Sequence, residues 1–253
     1  MSFKSKVLAG AASLALVGGV AVAGGLSANA ATPSCGHNCI DIFNRQFGTY
    51  RSPNFVMDVF RQGARVGQPI ILFRTSNSDP AEDFTVSLQG NVSDFFNAGL
   101  VSSAVALHYG GLAAGADDDA AYELEYAPNG VDSGLCVGVQ ATAMQGEHVT
   151  LQACGVSAKT VWIVDDGGSN FDTGVSLGDS PRTSPFYVPL INGSDTNFSH
   201  PFVLDYPHNG YPTDIPRPQL QVRNLTGFSN GHGPIVGTVI DTQLWGAVFG
   251  QLR

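Results

Sequence analysis

Positive charge is scarce in this chain. Lys and Arg total 12 of 253 residues against 21 Asp and Glu, and only three are lysines. Two of those lysines, Lys4 and Lys6, lie at the N-terminus, leaving Lys159 and nine scattered arginines. No basic stripe exists on which phosphates could collect, which argues against nucleic acid and against anionic membrane surfaces as partners. Also missing is any long apolar stripe of helical period after the N-terminal segment, which argues against a helical fold. The six histidines (37, 108, 148, 200, 208 and 232) show no His-x-x-x-His or other zinc spacing, and no phosphate-cradling glycine loop follows a strand, so no cofactor is expected. His37, between Cys35 and Cys39, could suggest a metal clip, but export favours a disulfide there.

The N-terminus has the form of a secretory signal. Lys4 and Lys6 precede an uncharged run, Val7 to Leu26, and then Ala28-Asn29-Ala30, an Ala-x-Ala site. Cleavage before Ala31 would leave a secreted, extracellular chain with no membrane contact and a formal charge of −11, since 10 − 21 replaces 12 − 21 = −9. No other segment is long or apolar enough to span a bilayer. The remaining composition, with 31 Gly, 14 Pro and few charges, reads as β-rich and loop-rich. Four cysteines allow three connectivities. Cys35–Cys39, closing a very small loop, with Cys136–Cys154, tying two strand segments, is the favoured one.

The most constraining feature is a pattern that occurs three times. Phe55-Val56-Met57-Asp58-Val59, Leu135-Cys136-Val137-Gly138-Val139 and Phe202-Val203-Leu204-Asp205-Tyr206 each open a unit. Ile70-Ile71-Leu72-Phe73, Val149-Thr150-Leu151-Gln152 and Leu220-Gln221-Val222-Arg223 follow, beginning 14, 13 and 17 residues after Val56, Cys136 and Val203. Glu82-Asp83-Phe84, Thr160-Val161-Trp162 and Gln243-Leu244-Trp245 close the units. One unit cannot bury its own apolar face, so three must share a core. The units span about 51–88, 122–166 and 199–253. Between them lie insertions at 89–121, read as an exposed loop with a solvated acidic triplet at 117–119, and at 167–198. The third unit carries a Pro-rich loop from Tyr211 to Pro218 and a Gly-rich loop from Gly227 to Gly237.

The middle unit, with Cys136, Cys154 and Trp162 in register, resembles one repeat of a ricin-type lectin. That family opens its repeats on Cys-Leu-Asp, ties them with an intra-repeat disulfide and closes them on Gln-x-Trp. Gln243-Leu244-Trp245 matches the closing triplet in full, and Glu82-Asp83-Phe84 is a degenerate copy. The resemblance implies an all-β fold, a β-trefoil, over 51–253, with residues 1–30 as signal peptide and 31–50 as an N-terminal extension. Phe84, Trp162 and Trp245 should then meet at the pseudo-threefold core.

The resemblance also implies where a glycan or polysaccharide would bind. An aspartate in the opening segment accepts from sugar hydroxyls, an aromatic ring after the second segment offers a platform, and a polar residue of the closing triplet completes the pocket. Carried over, these are Asp58, Phe73 and Glu82 in the first unit, and Asp205 and Gln243 in the third. There Arg223 takes the aromatic position, with Tyr206 and Tyr211 as substitutes. The second unit has Gly138, Gln152 and Thr160 instead and reads as scaffold. The expected function is non-catalytic carbohydrate binding. One alternative is an extracellular scaffold or protein-interaction module that has lost its sugar sites. The other is a GDSL-like serine esterase using Ser180 and the Asp205-x-x-His208 pair, whose placement fits that family poorly. Four Asn-x-Ser/Thr sequons, at Asn91, Asn192, Asn197 and Asn224, are read as chance matches.

Overall fold

Each apolar segment of the repeating pattern forms a strand, and one further strand precedes each unit. The computed structural model describes residues 39–49, 52–76, 79–113, 118–164, 187–207, 210–226 and 239–249. Twelve strands form one sheet. The first repeat holds β1 (Ile40–Asn44), β2 (Phe55–Val59), β3 (Ile70–Arg74) and β4 (Phe84–Asn91). The second holds β5 (Ala120–Tyr126), β6 (Leu135–Val139), β7 (Val149–Ala153) and β8 (Val161–Val164). The third holds β9 (Ile191–Asn192), β10 (Phe202–Asp205), β11 (Gln221–Asn224) and β12 (Trp245–Phe249).

Strand pairing follows one rule three times. The last strand of each repeat pairs antiparallel with the first strand of the next: β4 with β5, β8 with β9, and β12 with β1. The second and third strands form a hairpin in every repeat: β2–β3, β6–β7 and β10–β11. The ladder leaves β9 and β12 unjoined, but Val188, just ahead of β9, exchanges two backbone hydrogen bonds of 2.9 Å with Trp245.

Three isolated bridges link the hairpins in a cycle: Pro69 to Thr150, His148 to Gln221, and Gln219 to Ile71. Pro69, His148 and Gln219 hold one position of the repeat; Ile71, Thr150 and Gln221 hold the position two residues on. The same pairing therefore recurs around a pseudo-threefold axis, and the fold is a β-trefoil.

The core repeats the same way. Met57, Val59, Ile70 and Leu72 meet Val137, Val139, Val149 and Leu151, and Leu204, Tyr206, Leu220 and Val222, in one buried cluster. Phe84, Trp162 and Trp245 belong to that cluster and are all but fully buried. Burying such a side chain contributes roughly 1.5–3 kcal/mol, so the three aromatic residues anchor the repeats to one another. Cys136 and Cys154 are joined in a disulfide across the β6–β7 hairpin. Cys35, the expected partner of Cys39, lies outside the described residues.

Three boundaries need correction. Residues 40–44, expected within an N-terminal extension, form β1, and all five pair with β12. The end of the 167–198 insertion supplies β9. The 89–121 insertion is largely not a loop: it continues β4 and then forms α1 (Val92–Asn97) and α2 (Ser103–Tyr109). Val92, Phe95, Val105 and Tyr109 pack with Val161, Ile163, Ile191 and Val203 in a second buried cluster. The acidic triplet is not simply solvated either. Asp118 accepts from the backbone and hydroxyl of Ser93 in the first turn of α1, and Asp119 is buried.

Candidate functional site

Asp58, Gly138 and Asp205 hold one position in β2, β6 and β10, on the strand face opposite the central core. In all three repeats that position is covered by the short 3-10 turn preceding the closing aromatic. At Gly138 a Cβ would lie 2.7 Å from the carbonyl oxygen of Lys159 in that turn, which explains why the second repeat has no side chain there. Asp205 is fully buried and sits 3.9 Å from the guanidinium of Arg223, diagonally across the hairpin on β11. It is therefore enclosed as an ion pair and not presented to solvent, whereas the resemblance implied a side chain open to a sugar. Tyr206 is likewise no platform: it is a core residue whose hydroxyl donates to the carbonyl of Gly210 at 3.0 Å. Tyr211 is exposed.

The closing-triplet polar residues are structural staples. Glu82 accepts the backbone N–H of Ser76 on both carboxylate oxygens, at 2.9 and 3.0 Å. Gln243 accepts the N–H of Thr226 at 2.8 Å and donates to the carbonyl of Asn224 at 2.9 Å. Ser76 and Thr226 follow the third strand of their repeats at the same offset. In the second repeat the corresponding residue, Gly155, donates to Glu123 of β5, at 3.0 and 3.1 Å, and Thr160 also donates to that carboxylate. Thr160 is too short to reach the loop, and Glu123 replaces it. Glu82 and Gln243 are thus buried and committed to backbone partners, in place of the sugar contacts the resemblance implied.

Asp58 is also buried, and its carboxyl lies among those of Asp79 and Glu82, with ligand atoms within 4.8 Å of one another. Among the described residues this is the group with the geometry for a cation. Two of its members already hold protons of neighbours: Glu82 as above, and Asp79, which accepts from Ala81 N–H at 3.0 Å and from the Gln62 amide at 2.9 Å. Burial, reinforced by the Asp79 charge and partly offset by Arg217, pushes the Asp58 carboxyl up to about 7. Like charges this close do not all ionise, and a proton on Asp58 relieves the repulsion.

Phe73 is half-buried at the end of β3, and its ring is not open. The Arg217 guanidinium lies over it, 4.2 Å from the centroid. The expected pocket of Asp58 with the Phe73 face is therefore filled by a side chain from the Pro-rich loop of the third repeat. The open space lies beside it. A cleft of about 410 Å³ is lined by Phe60, Arg61, Pro69 and Ile71 from the first hairpin and by Ile215, Pro216, Arg217 and Gln219 from the third repeat. Ile71 is the cross-strand partner of Asp58 and bridges Gln219, so the cleft sits on the seam where the first and third repeats close the trefoil. Sequence reading missed it because Arg61 and Arg217 are more than 150 residues apart. The Pro-rich loop was the one legible signal.

Ser180 and His208 lie outside the described residues. Of the sequons, Asn192 is buried and its amide donates to the carbonyl of Lys159 at 3.0 Å.

No family model matches the sequence, and comparison with curated proteins finds no match. Among solved structures, the chain is similar to a designed threefold-symmetric protein, ThreeFoil, at 16% identity and a TM-score of 0.46, over 83% of this chain and 98% of that one. It is similar to the Rhizoctonia solani agglutinin at 14% identity and a TM-score of 0.44, over 84% and 95% of the two chains. An exo-beta-1,3-galactanase from Clostridium thermocellum aligns at 12% identity and a TM-score of 0.45, over 84% of this chain and 30% of that one.

Proposed function

We propose that this chain is an exported, non-catalytic carbohydrate-binding protein whose site is the cleft between the first and third repeats. The observation that carries the reading is the make-up of that cleft. Phe60, Pro69, Ile71 and Ile215 give it apolar walls, while Arg61 and Arg217 supply hydrogen-bond donors; the Gln219 amide at its edge already donates to the carbonyl of Val149 at 2.9 Å. A pyranose has apolar C–H faces and a periphery of hydroxyl oxygens, and needs both kinds of surface. The trefoil supports the reading only as a frame that presents loops, since a fold by itself does not specify function. Export is supported by the N-terminal pattern and by the Cys136–Cys154 disulfide, which an oxidising compartment favours.

Titration calorimetry of the mature chain against a panel of oligosaccharides tests this. The expected result is weak, saturable binding to part of the panel that Phe60→Ala reduces and Asp58→Asn leaves in place, because Asp58 does not line the cleft. Binding to no member of the panel would overturn it. That outcome favours the second reading, a protein-interaction scaffold, which has one observation behind it: Asp58, Glu82, Asp205 and Gln243 are buried and the Phe73 ring is covered by Arg217.

A further inference from the structure

We infer that the cleft selects acidic saccharides, those carrying a carboxylate or sulfate on the sugar ring, with Arg61 and Arg217 holding the anionic oxygens from the two loops that frame it. This rests on the carbohydrate reading and narrows it to a ligand class.

The first argument is charge without a direct ion-pair partner among the described residues: Arg217 acts on the buried Asp58 carboxyl from a distance but contacts no carboxylate. Arg45 and Arg223 are paired with Asp241 and Asp205. Arg61 and Arg217 are both exposed, and neither makes an ion pair or a hydrogen bond with a described residue. In a chain of net charge −9, two such guanidiniums line one cleft, and no carboxylate is among the residues that line it.

The second argument is geometry. Each guanidinium lies over a phenyl ring, Arg217 over Phe73 at 4.2 Å and Arg61 over Phe60 at 5.0 Å. A ring contact of this kind occupies the face of the guanidinium and leaves its in-plane N–H donors available as a fork. That fork matches the paired oxygens of a carboxylate or sulfate. The Arg61 backbone is fixed as well. Arg61 and Gln62 have φ of 56° and 55°, a region non-glycine residues rarely adopt. The turn is held by the Gln62 amide donating to Asp79 at 2.9 Å and by the Gln68 amide donating to the carbonyl of Phe60.

The third argument separates a sugar from a bare anion. Pro69 and Ile215, the last 93% exposed, offer an apolar surface beside the two cations, with the buried Ile71 beneath them. An inorganic ion has no use for that surface; the C–H face of an anionic pyranose does.

The test is titration calorimetry of the mature chain with two matched pairs. One pair is oligogalacturonate and its fully methyl-esterified form; the other is a sulfated galactan oligosaccharide and its desulfated form. The expected result is about tenfold tighter binding of an acidic member than of its neutral counterpart, weakening as salt is raised. Which acidic member binds identifies the group recognised. Arg61→Gln and Arg217→Gln should each remove most of the preference, and Arg45→Gln, an equal change of charge elsewhere, should keep it. All three residues are exposed, and near-UV circular dichroism verifies that the variants fold. Equal binding within both pairs would overturn the inference while leaving the carbohydrate reading standing. A preference that survives in the Arg61→Gln/Arg217→Gln double variant would overturn the assignment to this cleft. Binding of neither pair, together with an unresponsive neutral panel, would overturn both readings.

Discussion

Trp162 donates its indole N–H to the carbonyl of Val137 at 2.9 Å, and Trp245 repeats the bond with Leu204 at the same distance. Val137 and Leu204 hold one position in their repeats, and in the first repeat that position is Met57, facing Phe84, which has no N–H to give. The closing aromatic is thus a packing residue in all three repeats and a hydrogen-bonded clamp in two.

Replacing that clamp without removing the ring isolates the bond. Trp162→Phe and Trp245→Phe should each cost roughly 1–3 kcal/mol, from lost hydrogen bonding and a small cavity. Urea denaturation of each variant measures it. Loss of no more than a few tenths of a kcal/mol would show that the indole N–H is not part of the clamp.

The buried Asp58 makes stability depend on pH with a definite sign. Its carboxyl titrates at about 7 in the fold against an ordinary 3.8, so between these values the folded state holds a proton that the unfolded chain has lost. Its contribution to stability is therefore most favourable in acid, falls as pH rises from about 4 to 7, and stays low above that. Asp58→Asn should be more stable than the parent at pH 8, on the order of 2–4 kcal/mol, and the difference should vanish below pH 4. Denaturation curves across the range decide it; a difference that does not change with pH would remove the Asp58 explanation.

Restoring an aspartate to the second repeat should damage the protein rather than create a sugar site. In Gly138→Asp the new Cβ meets the Lys159 carbonyl at 2.7 Å, a backbone contact that cannot rotate away. A loss of about 2 kcal/mol or more is expected, typical of overpacking into fixed structure. Melting temperature is the readout, and an unchanged value would mean the turn at 158–160 is free to shift.

The Cys136–Cys154 disulfide closes a segment with a sequence separation of 18. Chain entropy assigns such a loop about 3 kcal/mol. Replacing both cysteines with serine should lower the denaturation midpoint accordingly while leaving cleft binding intact, since neither residue lines the cleft. Lost binding in a variant that still folds would tie the hairpin to recognition.

Much of this architecture was legible in the chain. The paired apolar segments, their near-constant offsets and the closing aromatics announced three hairpins around one core, because the core face of each hairpin comes from consecutive alternating residues. The strand before each unit was harder to see. Ile40–Asn44 is buried along its whole length and Ala120–Tyr126 along most of it, so neither shows clean alternation. Helices α1 and α2 span 6 and 7 residues, too few turns to produce a periodic stripe.

The candidate site divides differently. Asp58, Glu82, Asp205 and Gln243 were found by position, yet position says nothing of exposure, and each side chain is buried. Their work is internal because the loops of their own repeats fold back over them. The cleft that remains open is built from Phe60, Arg61 and Ile71 on one side and Ile215, Arg217 and Gln219 on the other.

What the order of residues determined alone was the threefold core, since burial of an alternating segment is settled by neighbours two residues away. What only the tertiary structure decided was which surface stays free and which charges stay unpaired. Those depend on the first and third repeats meeting at the seam where Ile71 bridges Gln219, a contact between residues 148 positions apart (219 − 71) that no local pattern encodes.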